Sequence, residues 1–434
     1  RELETAMACV LILLLLTHAD GDWTGFRGAA KAGHSPNANV PQSWNDQSNL
    51  VWKLDLPGAG SSSPVLLGEK AFVTCYSGYG LAGGGGNPSN LVRHLLAVDL
   101  PTGKKLWQFD LPGKAEEDPY RGYITEHGYA SSTPAVDGQR VYAYFGKSGL
   151  FAFDHQGKKL WQADCGGESD PRGWGSAASP ILVKDWVVVN ASSESRAVLA
   201  FEKTTGKQVW KAEGGNLALS FGTPALGKDA RGIENLLVAA PGELWALNPT
   251  TGKLIWFATL RARGNISPSI VTGQVGADHL AFVTGGFESK GTTALRLGGK
   301  AEPAEGRVAW EVGTSCYVPT PLFHEGKLHW VDEMGTWKIL DASSGKTLHD
   351  GRLPLAERGG RSRPVYASLV LVGDRLYCQT RREGVFVLSL GDKPKVLQQN
   401  KLADDGDFSA SPAPVQGGLL LRSSKALYRV GVLR

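Results

Sequence analysis

The densest collection of reactive side chains in the chain is one stretch, Asp118-Pro119-Tyr120-Arg121-Gly122-Tyr123-Ile124-Thr125-Glu126-His127-Gly128-Tyr129. Carboxylate, imidazole and phenol groups at such spacing suit proton transfer or metal ligation, with Glu126 and His127 as the acid and base of a hydrolase or lyase. Adjacent residues on an extended strand point to opposite faces, so Glu126 and His127 converge only if the chain bends there. A second stretch, Asp170-Pro171-Arg172-Gly173-Trp174-Gly175, sets an arginine beside a tryptophan, a pairing that binds carboxylates or planar ligands. Its alternative is internal: Asp170 pairs with Arg172 and Trp174 acts as a plug. Arg358, Arg361, Arg363, Arg381 and Arg382 form a basic cluster suited to an anionic ligand or acidic partner, or simply to solvent. Gly83 to Gly86 is not a phosphate loop, because no Gly-Lys-Ser/Thr follows it. No Cys-x-x-Cys pair exists, and Cys75, Cys165, Cys316 and Cys378 are expected to be buried free thiols.

The elements that must position these groups repeat along the whole chain. Ala97-Val-Asp99-Leu-Pro-Thr-Gly103-Lys-Lys-Leu-Trp107 recurs from Ala200 to Trp210 and from Ala246 to Trp256, and one residue shorter from Ala152 to Trp161. Weaker copies run from Ala294 to Trp310, from Ile339 to His349 and from Val387 to Leu397. Each copy is a strand, a turn capped by Asp, Asn or Glu with Gly at positive φ, and a second strand carrying Trp. A second hairpin alternates with the first and opens on Ser63-Pro64, Thr133-Pro134, Ser179-Pro180, Thr223-Pro224, Ser267-Pro268, Thr320-Pro321, Ser368 and Ser411-Pro412. The eight Ser/Thr hairpins have only seven Trp-type partners downstream. The missing one is Leu50-Val51-Trp52-Lys53, at the other end of the chain. Four antiparallel strands repeated radially make a β-propeller. The expected fold is therefore all-β: an eight-bladed propeller over 50–434, closed by its N-terminal strand, with Trp52, Trp107, Trp161, Trp210, Trp256 and Trp310 as docking residues. Antiparallel order puts the short turns on one face and every long segment on the other. Long loops on a rigid scaffold are where binding usually resides. That face carries Tyr120, Arg121, Glu126, His127, Tyr129, Asp170, Arg172, Trp174, Arg361 and Arg363.

The Ala-x-Asp-x-x-x-Gly-Lys-x-x-Trp unit resembles the tryptophan-docking motif of PQQ-like propeller repeats, a family of quinoprotein alcohol dehydrogenases and BamB-type outer-membrane assembly lipoproteins. The resemblance extends over about residues 45–434. Asp22-Trp23-x-x-Phe26-Arg27-Gly28 and the stretch around Glu126 resemble an exported subgroup of these propellers. For the dehydrogenases the resemblance implies PQQ with calcium and an adjacent Cys-Cys pair. This chain has no Cys-Cys and no Cys-x-x-Cys-His, so no cofactor is expected and PQQ with calcium is the alternative. The expected function is a non-catalytic binding or scaffold protein that takes a protein, peptide or glycan on the long-loop face. Alternatives are the PQQ-dependent dehydrogenase, a hydrolase or lyase, and a BamB-like envelope assembly factor.

Composition agrees with many short strands: 56 Gly, 23 Pro and 13 Trp among 434 residues, with only 2 Met. The 46 basic and 42 acidic residues nearly balance at +4, which gives no electrostatic reason for a nucleic-acid partner. Cys9 to Leu16 is an apolar run before small residues, read as the core of a signal peptide over 1–19. Residues 20–49 are then an N-terminal extension. The protein is expected to be exported, periplasmic or extracellular, monomeric, and able to associate with the envelope.

Overall fold

The computed structural model describes residues 22–28, 32–36, 39–81, 86–114, 116–298, 306–356, 363–391 and 393–432. The run read as a signal peptide, Arg358, Arg361 and most of the glycine run lie outside the described residues. Eight antiparallel four-stranded sheets are arranged as blades. Blade 1 comprises Val65–Leu67, Lys70–Ser77, Val92–Asp99 and Lys105–Pro112. Blades 2 to 7 follow over 135–163, 181–213, 225–259, 271–312, 322–352 and 370–400. Blade 8 takes three strands from the C-terminal end, between Ala413 and Gly431, and its outer strand, Leu50–Asp55, from the N-terminal side. The expected closure is the one observed. No helix among the described residues is long and apolar enough to cross a membrane.

The repeated motif explains how blades join. Its alanine sits directly across the ladder from its tryptophan, as in Ala97–Trp107, Ala200–Trp210 and Ala246–Trp256. The small side chain leaves the indole free to lean onto the next blade. There the turn glycine receives it: a methyl on Gly103, Gly206 or Gly252 would lie 2.5 or 2.6 Å from an indole atom of Trp52, Trp161 or Trp210. Four indole N–H groups, of Trp52, Trp107, Trp161 and Trp310, donate to backbone carbonyls of the turn that receives them at 2.8 to 3.1 Å. Among the described residues no glycine packs against Trp256; the Arg307 guanidinium covers it at 4.3 Å. Core clusters accordingly lie between blades, such as Trp161 and Tyr142 of blade 2 with Val187 and Leu199 of blade 3.

The N-terminal extension is part of the ring's interior. Trp23 exchanges two backbone hydrogen bonds with Leu66, and the amides of Val136 and Leu371 donate to Thr24 and Gly33. His34–Ser35 adds to the inner strand of blade 7 in parallel. The extension thus crosses the axis on the short-turn side, using backbone edges that the innermost strands leave open. The buried Arg27 donates to the Thr320 carbonyl at 2.8 Å.

Candidate functional site

A cavity of about 160 Å³ lies on the axis, lined by residues of all eight blades and by Phe26 from the extension. Its floor follows from the Ser/Thr that opens each inner strand. The Ser63 amide donates to the Thr133 hydroxyl, Thr133 to Ser179, and so on through Thr223, Ser269, Thr320, Ser368 and Ser411, whose amide returns to Ser63. All eight bonds measure 2.9 to 3.1 Å, so each blade satisfies a buried amide of its neighbour. Every hydroxyl is an acceptor in this ring, and its own O–H can turn toward the cavity. The floor is polar and uncharged. In blade 5 the working hydroxyl is that of Ser269, the residue immediately after the Ser267-Pro268 pair.

The walls come from the long-loop face. Ile124–His127 forms a single helical turn, which supplies the bend that Glu126 and His127 require. The two side chains nevertheless diverge. Glu126 Oε2 accepts from Arg381 at 2.7 Å and from the Tyr366 hydroxyl at 3.3 Å. Burial and the Glu126 charge push the Tyr366 phenol well above its ordinary range, so it remains a donor. His127 Nε2 is 3.0 Å from the Trp174 carbonyl, which can only accept, so that nitrogen carries the hydrogen and Nδ1 accepts from Ser131 at 2.5 Å. Burial lowers the imidazole's pKa and keeps it neutral. Nε2 thus joins the neighbouring loop, and Nδ1 holds its own segment. At the mouth, Tyr123 and Trp174 lie 4.4 Å apart, centroid to centroid, with Phe221 5.5 Å beyond Trp174. Arg172 covers Trp174 at 5.1 Å and Arg363 covers Tyr123 at 5.1 Å, in cation–π geometry.

The other expected residues divide between framework and rim. Asp170 is buried, and its carboxylate accepts from the amides of Arg172, Trp174 and Gly175. It therefore holds the Arg172–Trp174 turn through its backbone, while the Arg172 guanidinium stands 3.9 Å from Glu288. Tyr120 and Tyr129 join Tyr76 and Tyr79 in a ring cluster away from the axis. Arg121 is exposed. Arg381 and Arg382 both meet Asp407, so this half of the basic cluster is internally compensated. The four cysteines are buried and free. Sequence reasoning did not single out Phe221, Tyr366 or the hydroxyl ring, and it named Phe26 only as part of a motif, not as a cavity residue. The recurring Ser/Thr-Pro was the available signal, but as a hairpin start it says nothing of the axis.

Beside the axial cavity, a smaller one of about 30 Å³ is surrounded by buried charge. Lys147 donates to Asp118 at 3.0 Å and Arg93 makes two 2.7 Å bonds to Glu117. Glu194 accepts from Tyr144 at 2.6 Å and from Ser176. Burial raises the Glu194 pKa above the ordinary carboxylate range. A raised folded-state pKa contributes stability at low pH that is lost as pH rises through that value. Glu194→Gln, which cannot ionise, is expected to flatten this dependence and to melt above wild type at neutral pH but not in acid. Melting curves across that range check it; an equal loss at every pH would mean that the native carboxylate is charged.

Comparison with known proteins follows the same lines. A family model described as "Outer membrane protein assembly factor BamB" matches residues 91–277 and 194–389. A curated relative of that name from Burkholderia pseudomallei (strain K96243) is 27% identical over 209 residues, 48% of this chain and 44% of the relative. The chain thus spans less than half the length of that relative. Among solved structures, quinohemoprotein alcohol dehydrogenase from Comamonas testosteroni has a TM-score of 0.67 at 12% identity, covering 96% of this chain and 82% of that one. A europium-containing methanol dehydrogenase gives 0.65 at 14%, covering 94% and 90%. BamB from Moraxella catarrhalis gives 0.59 at 13%, covering 88% and 97%. At these identities the structural likeness is one of fold.

Proposed function

The chain belongs to the family of the outer membrane protein assembly factor BamB, and from that premise we propose that it is an exported, envelope-associated binding protein whose long-loop face receives a protein or peptide partner. The observation that carries this reading is the mouth of the axial cavity. An aromatic belt of Tyr123, Trp174 and Phe221, covered by Arg172 and Arg363, stands over a neutral hydroxyl floor. Aromatic and arginine side chains of this kind dominate the energetics of protein interfaces. Acid–base chemistry at this mouth has less support, because Glu126 is held by Arg381 and both nitrogens of His127 are engaged.

The quinoprotein reading draws only on fold. A calcium-bound quinone needs several oxygen donors around the metal. Among the described residues the axial cavity offers one carboxylate, Glu126, already shared between an arginine and a phenol. The residues present therefore do not fit that group.

Arg172→Ala is expected to weaken capture of an envelope partner by about tenfold or more, with the melting temperature little changed because its guanidinium is part-exposed at the rim. Pull-down from envelope extract, quantified beside melting curves, checks this. Retained capture would move the binding face elsewhere. Tight absorbance-detected binding of PQQ with calcium would favour the dehydrogenase instead.

A further inference from the structure

Away from the axis, blade 1 holds a second set of groups. Ser77, His94 and Asp110 stand on three consecutive strands, near the long-loop ends of Lys70–Ser77, Val92–Asp99 and Lys105–Pro112. The register explains why they meet: His94 lies directly across from Asp110 on one side and from Cys75 on the other, and Ser77 is two residues beyond Cys75 on the same face. The Ser77 hydroxyl is 2.8 Å from His94 Nε2, and His94 Nδ1 is 2.6 Å from Asp110 Oδ1. A carboxylate only accepts, so Nδ1 carries the imidazole hydrogen and Nε2 has its lone pair toward the serine. Gln108 donates to the same Asp110 oxygen at 2.6 Å and helps to fix it. His94 is buried, while Ser77 is half-buried and is followed by the exposed Gly78, so the hydroxyl can be reached from solvent.

We propose that Ser77 is an activated nucleophile, with His94 as its base and Asp110 as the group that positions His94, able to take acyl groups from activated esters. This goes beyond the binding role, since none of the three lines the axial cavity. In the reaction Ser77 Oγ bonds to the ester carbonyl carbon as its proton passes to His94 Nε2. The imidazolium returns that proton to the departing alkoxide as the carbon–oxygen bond breaks, leaving an acyl-serine and a free alcohol. Water, deprotonated by the same nitrogen, then attacks the acyl carbon, and the imidazolium gives that proton to Ser77 Oγ as the acyl–oxygen bond breaks, releasing the carboxylic acid and restoring the serine. Cys75 also faces His94, but burial pushes its thiol up to about 12, which leaves the serine as the nucleophile. The Asp110 side chain is 56% exposed, so solvent screens its charge and the imidazolium gains less than in an enclosed site. A slow nucleophile that needs a good leaving group follows.

The test is a fluorophosphonate probe on the folded chain, with the modified residue located by peptide mass spectrometry. A single adduct at Ser77 is expected, absent in Ser77→Ala and slowed by about 10²-fold or more in His94→Gln. Asp110→Asn slows it less. No adduct on the wild-type chain, an adduct that persists in Ser77→Ala, or an unchanged rate in His94→Gln would each overturn the proposal, and the first of these needs no folded variant.

Discussion

Trp161→Ala is expected to destabilise the propeller by about 3–5 kcal/mol, the range for removing a buried aromatic side chain. Trp161 is 8% exposed, packs against Tyr142 and donates through Nε1 to the Lys203 carbonyl of the next blade. Truncation therefore removes blade-to-blade apolar contact and leaves a carbonyl without its donor. Its partner gives an independent measure. Gly206 has φ +72°, and a methyl there would meet Trp161 at 2.6 Å, so Gly206→Ala combines a left-handed backbone cost of about 1–3 kcal/mol with a steric one. In the double variant the space vacated by the indole removes the clash but not the backbone cost. Chemical denaturation of the two single variants and the double variant should then give a sum that exceeds the double by about 0.5–3 kcal/mol. Strict additivity would mean that glycine and tryptophan do not meet.

This pair also explains why the fold was readable in the sequence. A docking tryptophan needs a small residue across the ladder, a turn glycine on the next blade and a side chain to cap that turn. Each eleven-residue unit supplies a tryptophan, the small residue across from it and the capped glycine turn that receives the preceding blade's tryptophan, so each blade carries its own signature, and the unpartnered Trp52 revealed the closing strand. The site was legible only in part. Glu126, His127, Arg172 and Trp174 stood out by type, and the structure brings all but the Arg172 guanidinium to the cavity lining. Their bonding was not legible, because Arg381 lies 255 residues from Glu126 along the chain. The hydroxyl floor draws one residue from each blade, so no single segment announces it. Ser77, His94 and Asp110 are separated by a long loop and a turn, and only the strand register turns that spacing into contact. The extension over 20–49 gave no sign of crossing the axis, because its bonds there are mostly backbone ones.

Arg93→Ala is expected to cost about 3–5 kcal/mol, while the paired replacement Arg93→Met with Glu117→Leu costs far less or even stabilises. The two side chains are 4% and 3% exposed and form a two-pronged ion pair, so each charge has given up nearly all of its hydration. Arg93 also donates to the Tyr129 carbonyl at 3.3 Å. Removing the arginine alone strands a buried carboxylate, whereas removing both charges together eliminates the desolvation cost with the attraction. Stability alone therefore separates the single from the double variant. Position separates them from wild type: Glu117 belongs to the segment that carries Tyr123, Glu126 and His127 to the axial mouth, and Arg93 ties that segment to a rigid strand. The double variant keeps the fold but loses the tie, so it should melt near or above wild type and yet bind an envelope partner more weakly. Denaturation curves beside capture assays check both halves. A double variant as unstable as Arg93→Ala would mean that the ion pair is a net source of stability, and one with undiminished capture would mean that the segment holds its position without it.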